Sequence, residues 1–489
     1  MRKQKKLIVI LAVVFCILLG AYFAVVMPIL NREEPPETTE PIETTDGEVI
    51  GASDRILMFE KVERADIAKI EVHNTHGDYT FYRKDNAFYI KDHEDVSIDP
   101  ELLASFITSC GYTLSVSRID EPEPFSEYGL DDAAVWYTLT TASGEVHTVR
   151  IGDKAITGTG YYASYDGRES VYILDNTIAD TVLEPVETMV TPLLCYYDYS
   201  LEKKLTYFNL FRGEELYFRV EGLKTEEEID LEAMATYKMT YPTSYVPHED
   251  NDALFQKLAG LTGTKTLVLG PDEEDFKKYK LDKPAYQITF EFEGVEHMLL
   301  VSEKNENGTY YVGSGVTDMI AEADAETIGY VERDLIKWIS PYIFRMSIDA
   351  IDTLEFTAAN GFAETFKIEG TKEGLTVNSK SNGNFVDVDN FKRLYKTLLT
   401  IGIEGDPKFT DDDKKAICTP EKLFMTMKVT TRSTLVREYK FYRYSDRRCF
   451  LEIDGSGDFY VLHNIVEKIR NDAEKVVKGI TVDQTEKYD

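Results

Sequence analysis

Few residues in this chain have types and spacings suited to chemistry, and each has a plainer reading. His73 and His76 stand three apart, a spacing that chelates metal on a helix; here they straddle a strand end and a turn, where side chains three apart face opposite ways. Asp272-Glu273-Glu274-Asp275 and Asp411-Asp412-Asp413 offer the oxygen ligands that hard cations prefer. Neither has the alternating spacing and glycine of a calcium loop, so both read as solvated loops or helix starts. Asp454-Gly455-Ser456-Gly457-Asp458 hints at such a loop, but the strands flanking it make it a hairpin turn. Ser200-Leu201-Glu202-Lys203 has the nucleophile–base spacing of penicillin-recognising enzymes without their two companion elements. Gly313-Ser314-Gly315 lacks the frame of a nucleophile elbow, and no phosphate loop or dinucleotide fingerprint occurs. The expectation is no catalytic residue, no metal and no cofactor. Tyr161, Tyr162, Tyr165, Tyr310 and Tyr311 remain as candidate ligand or interface residues, because paired strand aromatics stack on sugars or anchor partners. Their plainer reading is core packing or cross-strand pairing.

Bulk composition narrows the class. The chain has 489 residues and a formal net charge of -33. That length suits roughly three domains at about 100–200 residues each. Abundant Tyr (31) and Phe (25) favour strands. The acidic balance argues against nucleic acid, which needs clustered Lys and Arg, and against adhesion to an anionic membrane surface. Cys16, Cys110, Cys195, Cys418 and Cys449 form no CxxC and do not recur at matching positions, so unpaired, mostly buried thiols are expected.

The N-terminus predicts topology. Residues 1–6 carry Arg2, Lys3, Lys5 and Lys6, and an apolar run follows from Leu7 to Leu30. About 24 apolar residues span a bilayer core with some tilt. The basic flank stays in the cytoplasm and places the rest outside. The run is too long for a cleaved signal peptide's core, the cleavage pattern is poor, and Phe15 before Cys16 rules out a lipobox. A single-pass signal anchor at 7–30 is therefore expected. Residues 31–54, rich in Pro, Thr and Glu, then form an extended acidic spacer.

Beyond residue 55 the chain repeats itself. Phe125-Ser126-Glu127-Tyr128-Gly129-Leu130-Asp131 returns as Phe276-Lys277-Lys278-Tyr279-Lys280-Leu281-Asp282, with a worn third copy at Ala416-Ile417-Cys418-Thr419-Pro420. Around each copy the same series recurs: a period-two meander, a helix, a loop, two hairpins and a closing helix. The fold class is α+β, with three tandem modules of two helices each over 55–192, 205–341 and 351–479, and a tail at 480–489. Tyr128 and Leu130, like Tyr279 and Leu281, are expected to insert together into a module core, with Asp131 and Asp282 completing the motif. Gly129 permits positive φ, a requirement that Lys280 at the matching position argues against.

The basic signal anchor, the Glu/Thr/Pro spacer and the Tyr-Gly-Leu-Asp stretch followed by strands resemble a bacterial family, domain-of-unknown-function family four-three-four-zero. The resemblance rests chiefly on Tyr128–Asp131 and Tyr279–Pro284 and covers most of the ectodomain. Members of that family often lie beside ABC-transporter components similar to those of gliding motility. This implies an extracytoplasmic accessory or scaffold protein at the cell membrane, without catalytic activity and with transporter subunits as partners. Two alternatives come from other classes: a cell-envelope glycan- or ligand-binding module using an exposed tyrosine cluster, and an envelope hydrolase whose residues are scattered along the chain. A convergent pocket holding paired carboxylates would favour the last. No feature of the sequence sets the oligomeric state.

Overall fold

The computed structural model describes residues 42–43, 49–50 and 55–485, apart from 132–134, 197–204, 223–231, 233, 243–244, 293 and 372–373. The expected anchor at 7–30, most of the spacer, the acidic insertion at 225–230 and Ser200–Lys203 lie outside the described residues. Among the described residues no helix is long and apolar enough to cross a membrane. The chain divides into two compact units, one of residues 1–94 and 100–186 and one of residues 95–99 and 187–489.

The first unit holds strands β1 (Ile42–Glu43), β2 (Val49–Ile50), β3 (Ile56–Leu57), β4 (Ile67–Asn74), β5 (Gly77–Lys84) and β6 (Ala87–Ile90). Helix α1 (Pro100–Gly111) and strand β7 (Leu114–Ile119) follow. Then come β8 (Val135–Thr141), β9 (Val146–Lys154), β10 (Gly160–Tyr165), β11 (Val171–Asp175) and helix α2 (Asn176–Leu183). The strands alternate by sequence and by burial, so Ile67, Ile70, Val72 and Phe81 face the core. Asp85 and Asn86 join β5 to β6 with φ of 49° and 65°, the left-handed pair that a two-residue hairpin turn needs. The end of the expected spacer departs from an extended tether: β1 pairs with β2, and β2 with β3, at the sheet edge. Ile42, Val49 and Ile50 are β-branched residues within an otherwise polar stretch.

In the second unit a meander of β12 (Leu205–Arg212), β13 (Glu215–Gly222) and β14 (Tyr237–Tyr241) leads to α3 (Asp250–Leu258), β15 (Lys265–Leu269) and α4 (Glu273–Lys278). Strands β16 (Tyr286–Phe292), β17 (Val295–Val301), β18 (Tyr310–Ser314) and β19 (Met319–Ala323) precede α5 (Ala325–Ile328). The series resumes with β20 (Ile351–Ala358), β21 (Ala363–Glu369), β22 (Thr376–Ser379), α6 (Val388–Leu398) and α7 (Asp411–Ile417). It ends with β23 (Leu423–Thr431), β24 (Val436–Arg443), β25 (Arg448–Ile453), β26 (Tyr460–Leu462) and α8 (His463–Val477). The two sheets of this unit share one apolar core, in which Trp338 stacks on Phe218 at 4.6 Å and also contacts Phe208.

The three sheets are antiparallel and share one strand order. It runs β6-β5-β4-β8-β9-β10-β11-β7 in the first, which continues through β3 and β2 to β1, and β14-β13-β12-β16-β17-β18-β19-β15 in the second. The third follows as β22-β21-β20-β23-β24-β25-β26, and where its eighth strand would lie there is a single bridge between Gly405 and Tyr460. Two expectations about helices are corrected. Among the described residues, 205–341 and 351–479 hold three helices each rather than two, because capping boxes turn the acidic runs at 272–275 and 410–413 into α4 and α7. A closing element also differs. The closing helix foreseen over Thr327–Ile339 is instead α5 followed by short 3-10 turns at Gly329–Glu332 and Leu335–Lys337. Gly329 sits where the helix would have to continue, and glycine costs about 1 kcal/mol there relative to alanine.

Candidate functional site

Each sheet is crossed by a short apolar strap that sequence reasoning did not single out. Met58 donates its N–H to Thr113 O (3.1 Å), Leu194 to Leu261 O (2.8 Å) and Ile343 to Ile401 O (3.0 Å). All three strap residues are buried. The next residue of each strap lies on the second strand of the hairpin that follows the repeated motif. Phe59 stacks on His147 at 4.4 Å, Cys195 Sγ lies 3.4 Å from His297 Nδ1, and Phe344 meets Tyr439 edge-on at 6.1 Å. Ser314, from the Gly-Ser-Gly stretch, donates its hydroxyl to Leu194 O and holds the second strap in place.

That recurrence explains a thiol–imidazole pair with the geometry of a nucleophile and its base. Burial pushes the Cys195 thiol up to about 12 and the His297 imidazole below its ordinary value, so both groups are held neutral. A second pair, Cys449 with His463 Nδ1 at 3.4 Å, behaves alike, the thiol again rising to about 12 and the imidazole falling. A reactive cysteine needs its pKa shifted the other way. Cys110 is a buried free thiol too, and Cys418 is half-buried.

The neutral histidines predict a pH dependence. Burial lowers the imidazole pKa in the fold at His147, His297 and His463, so the unfolded chain takes up protons first as pH falls below about 6.5. Each such group then removes up to about 1.4 kcal/mol of stability per pH unit until its folded form is protonated as well. Buried Asp472 shifts upward, so its effect has the opposite sign and the histidine must be isolated. Urea unfolding at pH 7.5 and 5.5 is expected to show a smaller loss on acidification in His297→Phe than in the unmodified protein. Equal losses would contradict the assignment.

The repeated motif builds the same turn in the first two sheets. Leu130 N–H bonds Phe125 O (3.0 Å) and Leu281 N–H bonds Phe276 O (2.7 Å). Gly129 has φ of 68°, and Lys280 has φ of 59°, so the left-handed conformation persists even where a side chain must be accommodated. Leu130 and Leu281 are buried, and Asp131 and Asp282 are exposed. The tyrosines do not enter the core beside the leucines as expected, because the left-handed residue reverses the chain between them. Tyr128 instead leans edge-on against Tyr162 at 4.8 Å, and Tyr279 against Tyr311 at 5.0 Å.

The other candidate tyrosines are also engaged. Tyr161 donates to Asp180 (3.1 Å) and lies under Lys154. Tyr310 is buried and lies under Lys304. Tyr165 shares a 2.9 Å hydrogen bond with His147 and lies under Arg168. Tyr161, Tyr162, Tyr165 and Tyr311 are half-buried. His73 pairs with Asp78 and stacks on Trp136, while the His76 N–H donates to Asn74. Asp272 and Asp275 form a capping box at the start of α4, and Thr410 with Asp413 does the same for α7. Asp454 accepts from the Glu438 N–H within a hairpin turn. Among the described residues no three His, Cys, Asp or Glu side chains converge to hold a metal.

A cleft of about 230 Å³ opens in the second unit where three segments meet: Met234–Tyr237, Val246–Asp252 and Ser340–Arg345. Backbone hydrogen bonds join two of them, Ser340 N–H to Val246 O (2.7 Å) and His248 N–H to Trp338 O (3.0 Å). Asp252 is half-buried and accepts from the Thr236 hydroxyl at 2.7 Å; burial, then nearby Glu249, raises its carboxyl pKa. Glu249 and Asp252 lie one helical turn apart at the start of α3. His248 accepts from Asp250 N–H on Nδ1 (3.1 Å), which places the proton of a neutral ring on Nε2. Arg345 lies over Tyr342 with its guanidinium 5.7 Å from the ring centre. Residues from Met234 to Arg345, distant in sequence, build this cleft, and no local motif announces it.

Comparison with known proteins adds one finding. The family described as Domain of unknown function (DUF4340) matches residues 89–243 and 240–418. Each matched segment starts in or beside the third strand of one meander and contains one full copy of the Tyr-x-Leu-Asp turn. No curated protein and no solved structure matches the chain.

Proposed function

The chain belongs to the DUF4340 family, and from that premise we propose that it is a membrane-anchored extracytoplasmic accessory or scaffold protein without catalytic activity, serving an ABC-type transporter. The observation that carries this reading is the use of one strand order three times, with the repeated motif, the straps and the tyrosines all spent on holding sheets together. The thiol–imidazole pairs support it, since burial keeps them neutral. The finer architecture belongs to the same proposal: three tandem modules, each with a meander, hairpins and helices, behind one transmembrane helix at 7–30. The basic residues before Leu7 support an orientation with the modules outside the cytoplasm.

Replacing Leu7–Leu30 with an unrelated transmembrane span tests where the partner is engaged. If the native span makes specific contacts, capture of transporter subunits by cross-linking is expected to fall several-fold while the protein stays in the membrane fraction. Unchanged capture would move the interface to the modules. Loss of membrane association in a chain lacking residues 1–30 is expected, and retention there would contradict the anchor.

A further inference from the structure

The cleft at the Ser340–Arg345 linker combines features that the scaffold reading does not use. We propose that it binds a small zwitterion with an apolar side chain, an amino acid or the end of a short peptide, with Asp252 receiving the ammonium group and Arg345 the carboxylate.

Size comes first. About 230 Å³ lies well above the room one water needs and below the roughly 300–1,000 Å³ of a drug-sized pocket, so the cleft suits a small ligand. Charge comes next. Among the described residues, the Arg345 guanidinium has no carboxylate partner and makes no side-chain hydrogen bond, although the side chain is half-buried. Its flat donor fork suits a carboxylate, and the Tyr342 ring beside it limits its orientation. Asp252 is held by Thr236 through one oxygen, and its other oxygen has no donor among the described residues. A desolvated carboxylate so placed gains most from a cation.

Shape and apolar surface complete the fit. Pro247 and Pro341 stiffen two walls. Met234 and Tyr342 also line the cleft and remain 48 % and 41 % exposed, which leaves apolar surface for a ligand side chain. The two charged groups stand on separate segments, so a ligand with both charges bridges them, whereas one with a single charge leaves the other group unpaired.

The test uses the full-length protein and four probes in isothermal titration: leucine, leucyl-leucine, leucinamide and N-acetylleucine. Leucine or the dipeptide is expected to bind at least ten-fold more tightly than leucinamide, which lacks the carboxylate, and N-acetylleucine, which lacks the ammonium. Tighter binding of the dipeptide identifies a peptide end as the ligand, and tighter binding of leucine a free amino acid. Arg345→Gln should abolish the preference over leucinamide, and Asp252→Asn the preference over N-acetylleucine. No binding by any probe, equal binding by all four, or preferences that survive both substitutions would overturn the proposal. The probe series is read on the unmodified protein and does not depend on the variants folding. It is also independent of the transporter assignment.

Discussion

Leu281→Ala is expected to destabilise the second unit by about 2–5 kcal/mol, and Leu130→Ala the first by a similar amount, the range for emptying a buried leucine site. Both side chains are almost fully buried, each under a turn closed by a hydrogen bond from its own N–H. The neighbouring aspartates are exposed, so Asp131→Asn and Asp282→Asn should change stability by less than about 0.5 kcal/mol. Denaturant unfolding with hydrogen exchange to localise the loss separates these cases. If the aspartate variants were the damaging ones, the motif would be a binding element rather than a plug.

Gly152→Ala should be nearly as costly, for a different reason. A Cβ at Gly152 would fall 2.2 Å from Tyr128 O and 3.0 Å from Leu130 Cδ2. The carbonyl is backbone and cannot rotate away, so the whole turn must lift and Leu130 must partly leave its site. Overpacking of this kind costs about 1–3 kcal/mol, and more where backbone has to move. Once Leu130 is already alanine, lifting the turn loses less. The Leu130→Ala/Gly152→Ala double variant is therefore expected to cost less than the sum of the singles, the signature of sites that share one contact. Strict additivity would mean that the glycine serves some other feature of β9.

What the sequence disclosed was local. Period-two alternation marked β4, β5, β16 and β23, and the turn residues Asp166-Gly167 and Asn360-Gly361 marked the hairpins β10–β11 and β20–β21. The shared motif pointed to repetition, and the α+β class followed from the segregated strands and helices. Long-range features were not legible. The strand after the first helix, Leu114–Ile119 or Lys265–Leu269, is short, and its pairing is set by strands far along the chain. The straps are three or four apolar residues without a period. Lys280 shows a local rule overridden: the buried leucine beside it fixes the turn, and the lysine accepts a positive φ that glycine would adopt more cheaply. The cleft was invisible because Asp252 and Arg345 are ordinary surface residue types until the fold brings them to one hollow.

Photo-crosslinking of the full-length protein in native membranes, with mass spectrometry of what it captures, separates the two readings. An accessory scaffold predicts recovery of ABC-type transporter subunits. Recovery of cell-wall polymer with no transporter subunit would contradict it and make this chain a ligand-binding module of the envelope.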